Sequence, residues 1–175
     1  QYRYSKGERQ YLDNLAGYFS ELVLITFVLR KGDPSYESCI HSTFSASNLS
    51  IQEMPGPKSF KISILGKLWQ FLKVFIFLFK VVPKVDVLYI FLPSYPGALS
   101  WIVAKIFRKV HIVYGADDWE QASESMFKWQ SLKNSWFYSL YLLVNRWMER
   151  RIVETALFSV VAGGQLKAKY TGWGC

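Results

Sequence analysis

Two carboxylates, Asp117 and Asp118, stand side by side where the apolar run "HIVYG" meets a turn and continues into "WEQASESM". Adjacent side chains diverge on a strand or loop, so the two cannot face each other as the carboxyl pair of a glycoside hydrolase does. Apart from Glu120, no third carboxylate or histidine stands at a spacing that would complete a metal shell, and no metal site is expected. Two roles remain. One carboxylate can accept hydrogen bonds from a hydroxylated ligand or act as a general base, and one can cap the helix that "WEQASESM" begins. The roles are compatible, and Asp117 is the first candidate for the chemistry, Asp118 the second.

Other candidates follow from a rule of parallel sheets: ligands bind beyond the carboxyl ends of the strands, where loops and helix N-termini meet. Besides Tyr114 to Glu120, that rule selects "PSYPG" (Pro93 to Gly97) and "AGGQ" (Ala162 to Gln165). Ser94, Gly115, Asp118, Gly163, Gly164 and Gln165 are therefore read as cleft residues around Asp117. The glycine pair would let backbone N–H groups approach an anion, or it is simply a tight strand-to-helix turn. His111 lies within an apolar strand and reads as a structural histidine. Ser94 and Ser159 lack the setting of a nucleophilic serine. The sequence has no G-x-G-x-x-G or Walker loop, and its adjacent aspartates are not the D-x-D of nucleotide-sugar enzymes.

Elements that could position these residues alternate along the chain. Apolar spacing predicts a helix over Glu8 to Tyr18 and another over Ser59 to Val82, closed by Pro83. Further helices are expected over Gly97 to Phe107, over Trp136 to Thr155, and after Gly163-Gly164. Short apolar runs predict strands at Glu21 to Leu29, Leu49 to Met54, Val85 to Pro93, Lys109 to Gly115 and Leu157 to Ala162. Strand–helix alternation implies an α/β fold: a Rossmann-like, doubly wound parallel sheet with helices on both faces, in a single domain over 1–175.

In the 175 residues, 21 Lys and Arg oppose 13 Asp and Glu, for a net charge of +8. That balance favours an anionic partner. No Arg-rich tract, zinc spacing or RNP-like motif is present, so no nucleic-acid partner is expected. The cysteines, Cys39 and Cys175, form no framework, as suits a reducing cytoplasm. Aromatic residues make up 18% of the chain, which argues for a large interior or an apolar partner. Val87 to Ala104 carries no charge, but Pro93, Pro96 and Gly97 interrupt it, so strand, turn and helix explain it better than a membrane span. In the second helix, Gln70, Lys73, Lys80 and Lys84 share one stripe while Trp69, Phe71, Leu72, Phe75, Ile76 and Phe79 cover the rest. The stripe is either a solvated face or a membrane-surface contact through Lys73, Lys80 and Lys84.

Three stretches, "RQYLDNLAGYFSELVLITFVL", "VDVLYIFLPSYPGALSWIVAKIFRKVHIVYGADDWE" and "MERRIVETALFSVVAGGQLKAKYTGWG", carry a resemblance in pattern that covers nearly the whole chain. Their order and spacing resemble the N-terminal, acceptor-binding domain of GT-B glycosyltransferases of the family-four type. In that family a later strand ends at a proline-containing loop, the next at an "HGD"-like turn, and another at a "vS" element. Here the second reads Tyr114-Gly115-Ala116-Asp117, with tyrosine for the histidine, and the third reads Val161-Ala162-Gly163, without the serine. The resemblance implies a half that closes on a second Rossmann-like half, which holds the nucleotide-sugar donor and the paired glutamates; no separate cofactor is implied. It also implies an opening strand before Glu8. In the doubly wound order that strand is central, and without it two neighbours stay unpaired, so the chain reads as an interior fragment that should be poorly stable or pair its strands differently.

The expected function is the acceptor-binding half of a retaining glycosyltransferase, moving sugar from a nucleotide-sugar to a glycan, a lipid-linked glycan or a small-molecule acceptor. Its place would be the cytoplasm, peripheral on the inner membrane face. One alternative is a non-catalytic Rossmann-like binding module. Another is a small membrane-associated protein with Leu65 to Phe91 and Trp136 to Val144 against lipid.

Overall fold

The computed structural model describes residues 6–26, 45–56, 64–122 and 136–174. The chain divides into two compact units, 1–74 and 75–175. The expected strand end at 27–29, the helix start at 59–63, the loop 30–38, His41 and both cysteines lie outside the described residues.

In the first unit, α1 (Lys6–Ala16) leads to β1 (Leu22–Thr26), which pairs in parallel with β2 (Leu49–Glu53). Leu12, Ala16 and Met54 are buried. Side chains close what the short sheet leaves open. Asp13 Oδ1 accepts the N–H groups of Ser45 and Ala46 at 2.9 and 3.1 Å. The Asn48 amide donates to the carbonyls of Ala16 and Phe19 at 2.9 and 2.8 Å, satisfying the end of α1.

Helix α2 (Ile64–Val81) crosses the division between the units and ends in a 3-10 turn, Val82–Lys84, at Pro83. In the second unit, β3 (Val87–Leu92), α3 (Tyr95–Ile106), β4 (Val110–Gly115), α4 (Trp136–Glu154), β5 (Ser159–Val161) and α5 (Gly164–Thr171) follow in order. The sheet order is β3–β4–β5, all parallel. Strand β4 is central, and His111, Ile112, Val113 and Gly115 on it are buried. Hence β4 reads as a continuous apolar run, as a strand covered on both faces must. The protein is thus a mixed α/β chain with two small parallel sheets, where one larger sheet was expected.

Val87 to Ala104 is strand, turn and helix, and no described helix is long and apolar enough to cross a membrane. Helix α3 begins two residues earlier than its apolar spacing predicts because Ser94 caps it. The Ser94 hydroxyl accepts the Gly97 N–H at 3.0 Å and donates to the Phe91 carbonyl at 2.7 Å. The helix ends with Arg108 at φ 53°, and the Lys109 N–H returns to the Ala104 carbonyl at 2.8 Å. That is the usual left-handed closure, with arginine where glycine is easier.

Gly97 packs its α-carbon against β3. A β-carbon there would lie 2.8 Å from the Phe91 carbonyl oxygen and 2.5 Å from Ser94 Oγ. Gly97→Ala is expected to cost about 1–3 kcal/mol in urea unfolding.

His111 is buried, and its Nε2 lies 3.0 Å from the Ile152 carbonyl, to which the neutral ring donates. Burial holds its pKa below 6.5, and Lys105 adds to the depression against the opposing Ile152 bond. A depressed histidine contributes stability that is full above 6.5 and is lost as pH falls through the folded value. The His111→Gln variant keeps a donor toward Ile152 without titrating. Its thermal midpoint should therefore fall less than the wild-type midpoint when pH is lowered from 7 to 5.5, about the range in which histidine changes charge.

Candidate functional site

The carboxyl ends of β3, β4 and β5 lie in register, with Leu92 opposite Gly115 and Gly115 opposite Val161. The Ala116 N–H donates to the Leu92 carbonyl at 2.9 Å, and the Ala162 N–H donates to the Gly115 carbonyl at 2.8 Å. The turns holding Ser94, Asp117 and Gly163 therefore leave from three adjacent strands. Sequence reasoning placed them at one sheet edge, and there they are.

Within the acidic turn the two aspartates have different duties. Asp118 Oδ1 accepts the Glu120 N–H at 2.8 Å and caps the helical turn at 119–122, where the Ala122 N–H reaches the Asp118 carbonyl at 2.9 Å. The same Oδ1 lies 2.9 Å from Lys169 Nζ. Asp117 is exposed. Its Oδ1 accepts the Asp118 N–H at 2.8 Å, and among the described residues no ion pair engages it.

Beneath this turn is a cluster the sequence reading did not anticipate. Glu149 on α4 is completely buried; its Oε2 lies 2.8 Å from Lys169 Nζ, and its Oε1 accepts the Tyr170 hydroxyl at 3.1 Å. Lys169 also approaches Glu120 at 3.7 Å and lies over the Trp173 ring at 5.1 Å. Burial pushes the Glu149 carboxyl above its ordinary value, and the Asp118 charge adds to this against the pull of Lys169 and Tyr170. Burial works against the Lys169 ammonium too, but its hydrogen bonds to Glu149 and Asp118 outweigh it, and its pKa is raised. Lysine nucleophiles need the opposite shift, so Lys169 is an electrostatic tie between α4, α5 and the acidic turn.

Gly115 is part of the same fit. A β-carbon on it would meet the Tyr170 ring at 3.0 Å. Next to it, Trp119 is buried and packs edge-on against Tyr95 with ring centroids 5.7 Å apart. The Tyr95 and Tyr141 hydroxyls hydrogen-bond to each other. Burial, with that bond, raises the Tyr95 pKa, against a hydrogen bond from Asn145 that lowers it. Tyr95 therefore stays neutral at physiological pH.

A signal for Glu149 was present. Asn145, Glu149, Ile152 and Val153 recur at helical spacing on the buried side of α4. A polar pair on an apolar face asks for partners, and a lysine is one of the few that can neutralise a buried carboxylate.

Of the other expected residues, Ser94 spends its hydroxyl on the α3 cap. Gly163 has φ +110°, and β-carbons on Gly163 or Gly164 would meet nothing within 4 Å. Gln165 is exposed beside them. This turn faces open space, with the first N–H groups of α5 at its start. Among the described residues no group of three or more His, Cys, Asp or Glu side chains is arranged to hold a metal ion. The carboxylates that converge do so on an ammonium.

Lys73, Lys80 and Lys84 are exposed on and just after α2, but the outward face of that helix is not the solvated lysine stripe. Gln70 is half-buried and donates to the Pro55 carbonyl. Comparison with known protein families, curated proteins and solved structures finds no match.

Removing one partner from a buried pair leaves the other charge uncompensated. Lys169→Met is expected to lower unfolding free energy by roughly 3–5 kcal/mol, and adding Glu149→Gln should return part of that loss. Chemical denaturation of the single and double variants measures it, and equal stability of the Lys169→Met variant and wild type would refute the tie.

Proposed function

We propose that this chain is the acceptor-binding half of a retaining GT-B glycosyltransferase, and that Asp117 takes a hydroxyl of the acceptor. The observation that carries the reading is the division of labour in the acidic turn. Asp118 Oδ1 is engaged by capping and by Lys169, whereas Asp117 is exposed at the sheet edge without an ion pair among the described residues.

Electrostatics at the edge fit a neutral, hydroxylated ligand. Among the described residues of the acidic turn and its ion-pair partners, Asp117, Asp118 and Glu120 outnumber Lys169 and Arg146, which lies 3.9 Å from Glu120. An acidic excess repels phosphate and suits a sugar hydroxyl, which donates to carboxylate. The turn at Gly163, Gly164 and Gln165 adds N–H and amide donors for the ring oxygens.

Strand order supports the fold this function requires. A doubly wound sheet runs 3-2-1-4-5-6. If the chain's strands are the second to the sixth of that order, the neighbours should be β1 with β2, and β3 with β4 with β5, as observed. The nucleotide-sugar donor would be held by a second, similar half. The acceptor would be a glycan, a lipid-linked glycan or a small hydroxylated molecule, met on the cytoplasmic side of the membrane.

An array of immobilised glycans probed with the 175-residue chain tests the acceptor role. Wild type should retain a subset of glycans, and Asp117→Asn should weaken that retention roughly ten-fold or more, the worth of one charge-assisted hydrogen bond. Its unfolding curve should be unchanged, because Asp117 is exposed. No retained glycan would remove the acceptor reading, and equal retention by both proteins would remove Asp117 from it. In a chain that includes the donor half, the same substitution should lower turnover far more than thermal stability.

A further inference from the structure

Helix α2 is inverted with respect to ordinary amphipathic packing. Its buried side is narrow, made by Val74, Leu78 and Val81. Directly opposite, Leu65, Leu68, Trp69, Leu72, Ile76 and Phe79 form one ridge, since at about 100° per residue they fall within a third of the helix circumference. Leu65 is 79% exposed, Leu68 66% and Trp69 59%. A solvent-facing ridge of this size on a helix needs a partner.

The partner can be read from the charge around the ridge. Between Glu53 and Asp86 the sequence has six lysines and no acidic residue. Lys73 and Lys80 are exposed along one flank of the ridge, and Lys84 is exposed just beyond the helix. Lys73 Nζ sits 5.5 Å from the Trp69 ring centre, so charge and aromatic surface are presented together. An apolar ridge flanked by lysines matches a surface that is greasy below and anionic above.

We propose that α2 lies in the plane of an anionic lipid surface, with its apolar ridge among the acyl chains and Lys73, Lys80 and Lys84 at the phosphate level. A second copy of this chain is a poorer occupant, because it would bring lysines against lysines with no acid in the segment to pair them. A nucleic acid is poorer still, because the centre of the face is apolar and the charge lies to one side. Spanning is ruled out for this helix by its buried Val74, Leu78 and Val81. Exposed apolar residues also occur on α4, at Trp136, Leu140, Leu143 and Trp147. There Arg150 and Arg151 are engaged by Glu154 and Arg146 by Glu120, so among the described helices the charge argument favours α2.

This inference stands apart from the sugar-transfer reading and survives its failure. Co-sedimentation of the full 175-residue chain with vesicles tests it, comparing equal parts phosphatidylcholine and phosphatidylglycerol with phosphatidylcholine alone. Binding to the anionic vesicles that falls with added salt is expected. Each lysine-to-glutamine change at 73, 80 or 84 should weaken it roughly five-fold. The exposed-ridge variant Leu68→Gln/Leu72→Gln should abolish it while leaving the unfolding curve in place. Absence of binding to anionic vesicles overturns the proposal, as does equal binding to both vesicle types. Concentration-dependent self-association without lipid that the ridge variant abolishes, with no vesicle binding, would assign the face to a second copy instead.

Discussion

The second unit is organised around one buried ion pair. Glu149 has no access to water, and a carboxylate there is tolerable only because Lys169 and the Tyr170 hydroxyl approach both of its oxygens. Those partners come from neighbouring positions on α5, so α5 can occupy only one rotation against α4. Lys169 then reaches Asp118, and the turn after β4 is placed by the same ammonium. Three elements distant in sequence share a single charge. The pair contributes little net attraction once desolvation is counted; what it contributes is uniqueness of arrangement, since any other docking of α5 strands a charge.

That constraint also explains the difference between two adjacent aspartates. A carboxylate turned inward has one oxygen, Oδ1, shared between Lys169 and the backbone N–H of Glu120, while its predecessor faces water. The helix cap does the first half of the sorting, because it holds Asp118 Oδ1 on the Glu120 N–H. The ion pair does the second half, by fixing which direction is inward.

Much of this architecture was legible in the sequence. Apolar runs bounded by Gly, Pro and charged residues located all five strands, and the end-of-strand rule put Ser94, Asp117 and Gly163 on one edge. Local hydrogen bonds moved the boundaries. Ser94 captures the Gly97 N–H and starts α3 early, and only three residues of the fifth strand find a partner. The polar pair Asn145 and Glu149 on the buried face of α4 was a local hint, but the partners of Glu149 were not legible, since they depend on where α5 lands relative to α4. On α2, periodicity separated the lysines from the aromatic residues, but it did not say which side is buried. A helix that is apolar nearly all round has no pattern to say which arc packs inward, and Val74, Leu78 and Val81 turn out to be that arc.

Gly115, Tyr170 and Glu149 form a chain of dependence with consequences for how such a sequence can drift. The glycine has no β-carbon because the tyrosine ring occupies that space, and the tyrosine hydroxyl serves the buried glutamate. A larger residue at 115 would require a smaller one at 170, which would strip a hydrogen bond from 149 and favour an uncharged residue there. Lysine at 169 would then lose its principal anchor. Substitution in this corner should therefore proceed as a coordinated replacement of all four positions or not at all, and relatives of this protein should sort into those that keep the glycine, lysine, tyrosine and glutamate together and those that keep none.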